Sequence, residues 1–314
     1  MNSDKYPGIS ICNDAIFKAV FTRNTTESRT ALKSLLSAFL ERELSVLHVM
    51  ANEPAINDFR DRQIRFDISV EFNDGELANV EMTVNPKKYE SQRFEYYTAR
   101  LFVNQNIQGQ DRSYRDLKPT YHLSFLYGNL YPDKEWLHRF VYYDPERGVK
   151  MGGRTEILTV ELKKLEKMNT AETVEQIARI DCREGWALFM MYYREDKKSR
   201  IIQKIITMDD GIAAADQVMR RFTENQLENL AAISRDKFDF DTREELLEMK
   251  EAAREEGREE GHEEGHAEGL IEGRVEGEER KATDIARNML MKGFSPEQTS
   301  ELSGLDIAKV KRLF

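Results

Sequence analysis

The stretch IRFDISVEFNDGELANVEMTV, residues 64–84, constrains this chain more than any other. Apolar and polar residues alternate on both sides of Asn73-Asp74-Gly75, and Asp-Gly between two alternating runs marks a β-hairpin. Strands are expected near 63–72 and 77–84. Successive side chains of a strand point to opposite faces, so Glu81 and Thr83 point together and Met82 points away. If Asp67 shares their face, the hairpin carries two adjacent carboxylates on paired strands. Such a pair repels unless something positive sits between its members. Mg2+ suits that position, because it prefers hard oxygen ligands and keeps water for chemistry. Phe66, Ile68, Val70, Val80, Met82 and Val84 would seat both strands in a core, which favours a rigid site. The alternative is an ordinary hairpin whose acids face water, and spacing alone does not separate the two.

The flanks read as an α/β unit of about 165 residues. NDAIFKAVF places Ile16, Phe17, Val20 and Phe21 on one helical face, with Asn13 as N-cap. SRTALKSLLSAFLER repeats the pattern with Leu32, Leu35, Leu36 and Phe39. LSVLHVMAN follows as a short strand. Residues 87–107 read as a helix carrying Tyr89, Phe94, Tyr97, Leu101 and Phe102, with Gly109 as its stop. Further strands are expected at TYHLSFLYG, WLHRFVYYD and TEILTVEL. From Lys163 to about Met249 the pattern turns helical, with Trp186, Phe189 and Met190 anchoring a small subdomain. The expected organisation is a core over 1–165, a helical subdomain over 166–249, a Glu/Gly-rich arm or spacer over 250–280 and a compact tail over 281–314.

Charge locates a partner better than it first suggests. The formal net charge is −10, but twelve glutamates against three arginines put −9 of it in residues 251–279. The rest of the chain is nearly neutral and free to present basic surface to DNA. No apolar run reaches the ~18 residues of a membrane span. MNSDKYPGIS has neither the basic nor the apolar segment of a secretory signal. Cys12 and Cys182 lie far apart and match no metal spacing, so a reducing cytoplasm is the expected location.

Taken in order, NDAIFKAVF, LLSAFL, IRFDISVEFNDGELANVEM, RFEYYTARLF and YRDLKPTYHLSFL resemble the Rpn family, the recombination-promoting nucleases or transposases of the PD-(D/E)XK nuclease superfamily. The resemblance is dense over residues 13–165 and looser beyond. It implies a restriction-endonuclease-like α/β core with a helical C-terminal region. It also implies a DNA endonuclease dependent on Mg2+ or another divalent cation. Asp67 and Glu81 carry over as the metal-binding acids. Asp14 matches a family acid that helps position metal or water; a helix-start acid favoured by the dipole is the other reading. Arg93 and Arg100, seven apart on the helix after the site, would contact phosphates or simply balance surface charge. Thr83 departs from the pattern. The superfamily has Lys there and this family often has Gln, whereas a Thr hydroxyl can hold water but supplies no positive charge. Lys87 or Lys88, at the helix start, is placed to substitute.

Two C-terminal features complete the sequence. HEEGH at 262–266 matches the zinc-protease pattern H-E-x-x-H. It is one unit of a period-four series with Gly at 257, 261, 265, 269, 273 and 277, and it has no apolar wall to form a cleft. Each interior Gly costs ~1 kcal/mol of helix stability relative to Ala. The series is therefore a solvated, partly helical spacer, or a stripe along which helices of two subunits pair into a homo-oligomer. SPEQTSELSGLDIAKVKRLF reads as a helix-turn-helix. Ser295 caps, Pro296 opens the first helix and Gln298 completes a capping box. Asp306 caps a short second helix bearing Lys309, Lys311 and Arg312, for DNA or for docking. The leading expectation is thus a Mg2+-dependent DNA endonuclease. A DNA-binding or assembly protein that kept the fold and lost the third residue is the alternative, and an oligomeric scaffold built on the arm is a third.

Overall fold

The computed structural model describes residues 7–45, 47–50, 67–73, 75–105, 113–168, 179–195 and 198–313. The chain forms two compact units, Met1–Phe240 and Asp241–Phe314. None of the described helices is long and apolar enough to cross a membrane.

The first unit opens with α1 (Asp14–Phe21) and α2 (Thr26–Leu40). Asn13 caps α1, its side chain accepting from the backbone N–H groups of Ala15 and Ile16. Thr25 caps α2 in the same way through Ser28 N–H. The two apolar stripes expected on these helices are buried in full. They lie against a six-stranded sheet of order β1-β2-β3-β4-β8-β5. Its strands are β1 (Leu47–Val49), β2 (Ile68–Phe72), β3 (Glu76–Thr83), β4 (Thr120–Leu126), β5 (Leu137–Phe140) and β8 (Thr155–Glu161). Strands β1, β2 and β3 are antiparallel neighbours, β3, β4 and β8 are parallel, and β5 returns antiparallel to β8.

The hairpin is present as β2 and β3. Residues 63–66 and Asp74 lie outside the described residues, as does Gly109. Asn73 and Gly75 both have positive φ, 42° and 98°, the backbone a tight strand-to-strand turn requires. The expected strand WLHRFVYYD divides in two. It leaves the sheet after Phe140, and β6 (Tyr143–Asp144) pairs instead with β7 (Val149–Lys150) in a small separate ribbon.

Register gives the sheet two unlike faces. Ile68, Val70, Val80, Met82, Leu123, Phe125, Leu158 and Val160 share the face that packs on α1 and α2. Phe125 is the hub, with ring centroids 5.9 Å from Phe17 and 5.1 Å from Phe39. The other face carries Ser69, Asn79, Glu81, His122, Ser124 and Thr159, all buried although polar. It is covered by α3 (Glu90–Val103), shorter at its start than the expected 87–107.

Helices α4 (Leu162–Met168), α5 (Cys182–Tyr192), α6 (Ser199–Ile206) and α7 (Asp210–Arg220) follow. Trp186 of α5 lies with its ring 5.8 Å from Phe21, so this helical region shares one core with α1, α2 and the sheet. Helix α8 (Glu224–Met291) runs 68 residues, and Leu227 and Ala231 in its first turns join the same core. In the second unit the Glu/Gly series is continuous helix, with Glu–Arg pairs such as Glu255–Arg258 at 2.5 Å offsetting part of the glycine cost. Its glycines have nothing within 4 Å of where a Cβ would stand, and His262 and His266 are exposed. The tail forms α9 (Pro296–Ser303) and α10 (Ile307–Lys311). Both bonds of the Ser295–Gln298 capping box form, and Gly304 turns the chain at φ 72°. Ala286, Leu305 and Val310 make a small core there.

Candidate functional site

Ile68 pairs with Val80, and continuing that register by one residue sets Asp67 opposite Glu81. The two carboxylates therefore share a face, the polar one beneath α3. Asp67 is tied to the strand of its partner, its Oδ2 accepting from Met82 N–H at 3.3 Å. Its Oδ1 meets Lys18 Nζ at 2.6 Å. Lys18 stands on α1, one turn after Asp14, so the helix that seats the sheet also delivers a cation to it.

Glu81 is only 2 % exposed. Its Oε1 accepts from Asn79 Nδ2 at 2.9 Å, and its Oε2 meets the Arg93 guanidinium at 3.2 Å. Burial pushes the Glu81 carboxyl above the usual range, opposed first by the charge of Arg93. Arg93 makes three contacts with one nitrogen. Besides Glu81 it donates to Thr83 Oγ1 at 3.1 Å and pairs with Glu90 Oε1 at 2.5 Å. Glu90 is held in turn, its Oε2 accepting from Lys87 N–H at 3.0 Å at the start of α3. The same acids hold the Arg93 guanidinium well above its ordinary pKa despite its burial, so it stays charged.

His122 of β4 lies behind this group. Asn79 Nδ2 stands 3.2 Å from its Nδ1, which leaves the ring proton on Nε2, 4.0 Å from Glu81 Oε2. Phe94 covers the ring at 4.9 Å. Burial, and then Arg93, lower the His122 pKa to about 3, so the ring is neutral at physiological pH.

The structure thus brings together Asp67, Glu81, Thr83 and Arg93 from the residues singled out in the sequence. Asp14 is held at the start of α1. Its Oδ1 accepts from Ala15 N–H at 2.8 Å and from the Ser234 hydroxyl of α8, and Lys18, one turn further along α1, touches Asp67. Lys88 is exposed, and it is Arg93 that contacts Thr83. Arg100 lies half-buried two turns along α3. Lys18, Asn79, Glu90 and His122 were not singled out by sequence. Asn79 was within reach, since it lies two residues before Glu81 on the same strand face; the others come from α1, α3 and β4, which only the fold unites.

Three carboxylates against two cations leave this cluster one net negative charge. Two hard oxygen donors on a rigid hairpin suit a divalent cation that keeps part of its water shell. No group of three His, Cys, Asp or Glu side chains able to hold a metal occurs among the described residues, so water or a phosphate would complete any shell. His262 and His266 accordingly belong to no such group.

Residues 11–249 match the family model described as PD-(D/E)XK nuclease family transposase. No curated protein and no solved structure matches the chain. The matched span contains the whole sheet, both hairpin acids and the helices that seat them, and the chain belongs to the PD-(D/E)XK nuclease family transposases.

Proposed function

We infer that the chain is a metal-dependent DNA endonuclease that hydrolyses phosphodiester bonds at Asp67 and Glu81. The observation that carries this reading is Arg93, whose guanidinium touches both Glu81 and the hydroxyl of Thr83. The positive charge missing at residue 83 is thereby supplied from α3, ten residues along the chain. A divalent cation, when bound, would lower the pKa of its water and offset phosphate charge. Asp67 and Glu81 would hold it. Arg93 offers charge-assisted donors to a phosphate oxygen, and Glu90 keeps that guanidinium aimed at the site. Thr83 accepts from Arg93 and keeps its own O–H to orient water. Buried His122 and Asn79 hold Glu81 in place without adding charge.

A second reading rests on a different observation. All four carboxylate oxygens of Asp67 and Glu81 are already engaged, by Lys18, Met82 N–H, Asn79 and Arg93. A protein that keeps these contacts when it meets DNA binds without cutting.

Supercoiled plasmid with Mg2+ separates the two. The wild-type chain is expected to nick it, and Asp67→Ala and Glu81→Ala to abolish nicking while retaining DNA binding. Arg93→Ala should lose roughly 100-fold in rate, the scale of removing one transition-state donor. Mg2+ should also raise the melting temperature of the wild type and leave Glu81→Gln unmoved. Equal cleavage by all variants removes the site; binding without cleavage by the wild type selects the second reading.

A further inference from the structure

A second feature of the first unit lies between α3 and the β5–β8 side of the sheet. Phe94, Thr98 and Phe102 of α3 form one wall of a groove of about 660 Å³, and Phe140, Tyr142 and Ile157 line the other. The β6–β7 ribbon borders it through Tyr142 and Met151. Among the described residues β5 is the outermost strand on this side of the sheet.

Several apolar side chains around the groove are exposed. Val103, Phe140, Val141, Tyr142, Val149 and Met151 are between 38 % (Val141) and 71 % (Met151) exposed. At roughly 150–250 Å² per large side chain, these exposures amount to on the order of 600 Å². That is the upper end of what a lone monomer shows, about 300–600 Å². It approaches the ~800 Å² that each partner gives to a standard interface.

Shape and charge on this face say what covers it. The groove is bordered by the ribbon, whose flanking Tyr142 and Met151 are exposed, so the face carries both a hollow and side chains able to fill one. It also carries both signs of charge. Glu95 on the α3 wall and Arg154 on the strand wall both line the groove, both are exposed, and neither is in an ion pair among the described residues. A two-fold copy needs both on the same patch, because each side presents the same surface to the other. Nucleic acid fits poorly, since one arginine beside one glutamate offers phosphates no net positive charge.

We propose that this face is the interface of a two-fold homodimer. The β6–β7 ribbon of each copy lies in the α3–β8 groove of the other, and Glu95 of each copy faces Arg154 of its mate. The proposal does not depend on the nuclease reading, because Glu95, Arg154, Tyr142 and Met151 lie outside the Asp67–Glu81 cluster.

Sedimentation or light scattering of the full chain tests it. The wild type should have about twice the 36.6 kDa chain mass. Tyr142→Lys with Met151→Lys should be monomeric with an unchanged circular dichroism spectrum, both side chains being exposed. Glu95→Arg and Arg154→Glu should each raise the dissociation constant by roughly tenfold or more. An equimolar mixture of these two variants should recover the dimer, since both cross-pairs are then restored. A monomeric wild type, a dimer indifferent to all four substitutions, or a mixture that stays monomeric would each overturn the proposal. The second outcome would assign assembly to another surface, the exposed arm included.

Discussion

Glu81 shows how much a single residue's setting departs from its sequence. On paper it is one half of a carboxylate pair on an alternating strand. In the fold it is buried against Asn79 and Arg93, with its carboxyl raised by that burial. A raised carboxyl binds its proton more tightly in the folded chain than in the unfolded one. Its contribution to stability is therefore fullest below the unfolded pKa and is lost as pH rises through the folded value. Glu81→Gln should accordingly gain melting temperature over the wild type at pH 8, and that gain should shrink toward pH 4. Arg93 keeps Glu90 as a partner in the variant, so it is not left alone. Thermal melts across this range check the claim, and a gain that grows toward low pH would refute it. Thr83 is the complementary case. The family resemblance marks residue 83 as lacking the usual Lys or Gln, but does not show that a guanidinium comes to it from α3.

At the scale of elements, helices α2 and α7 pack tightly at the start of α7. A Cβ on Gly211 would stand 2.0 Å from Ser34 Cβ, and Ser34 is itself fixed by Asp209 at 2.8 Å and Trp186 at 3.2 Å. Gly211→Ala should therefore destabilise the first unit by about 1–3 kcal/mol, the usual cost of overpacking, measurable by urea titration. Ser34→Gly in the same chain should recover part of that loss. The glycines of the arm behave oppositely. Nothing surrounds them, so replacing any of Gly257 to Gly277 by Ala should add ~1 kcal/mol of helix stability without a steric cost. Helical circular dichroism on heating reads this directly. The elements themselves were largely legible in the sequence: the first helix with its Asn13 cap, the apolar stripe of the second, the hairpin and the capped tail follow from spacing and caps. The division of WLHRFVYYD was not, because periodicity does not say which neighbour an edge strand keeps.

For the whole molecule, the sheet core extends farther than the α/β pattern alone implies. Trp186 and Phe189 continue the cluster begun by Phe17 and Phe21, so helices well past residue 165 complete the core that holds the hairpin. The described side chains of the arm, by contrast, are exposed. Brief digestion with a Glu-specific protease should cut first within residues 251–279 and leave a fragment close to the first unit, Met1–Phe240, with its near-UV circular dichroism intact. Early cuts on α2 or α5 would contradict a core shared by those helices.

By itself the sequence determined the hairpin, its two acids, the helices on either side and the family they mark, because alternation, capping and turn chemistry act over neighbouring residues. Tertiary structure alone decided what surrounds the acids. Lys18, His122 and Arg93 reach Asp67 and Glu81 from α1, β4 and α3, and no local pattern records which side chain of a distant element will face a given strand. That choice comes from sheet register and helix packing, where a shift of one residue would turn the polar face into the apolar one. The carboxylates are a property of the chain; their charge balance is a property of the fold.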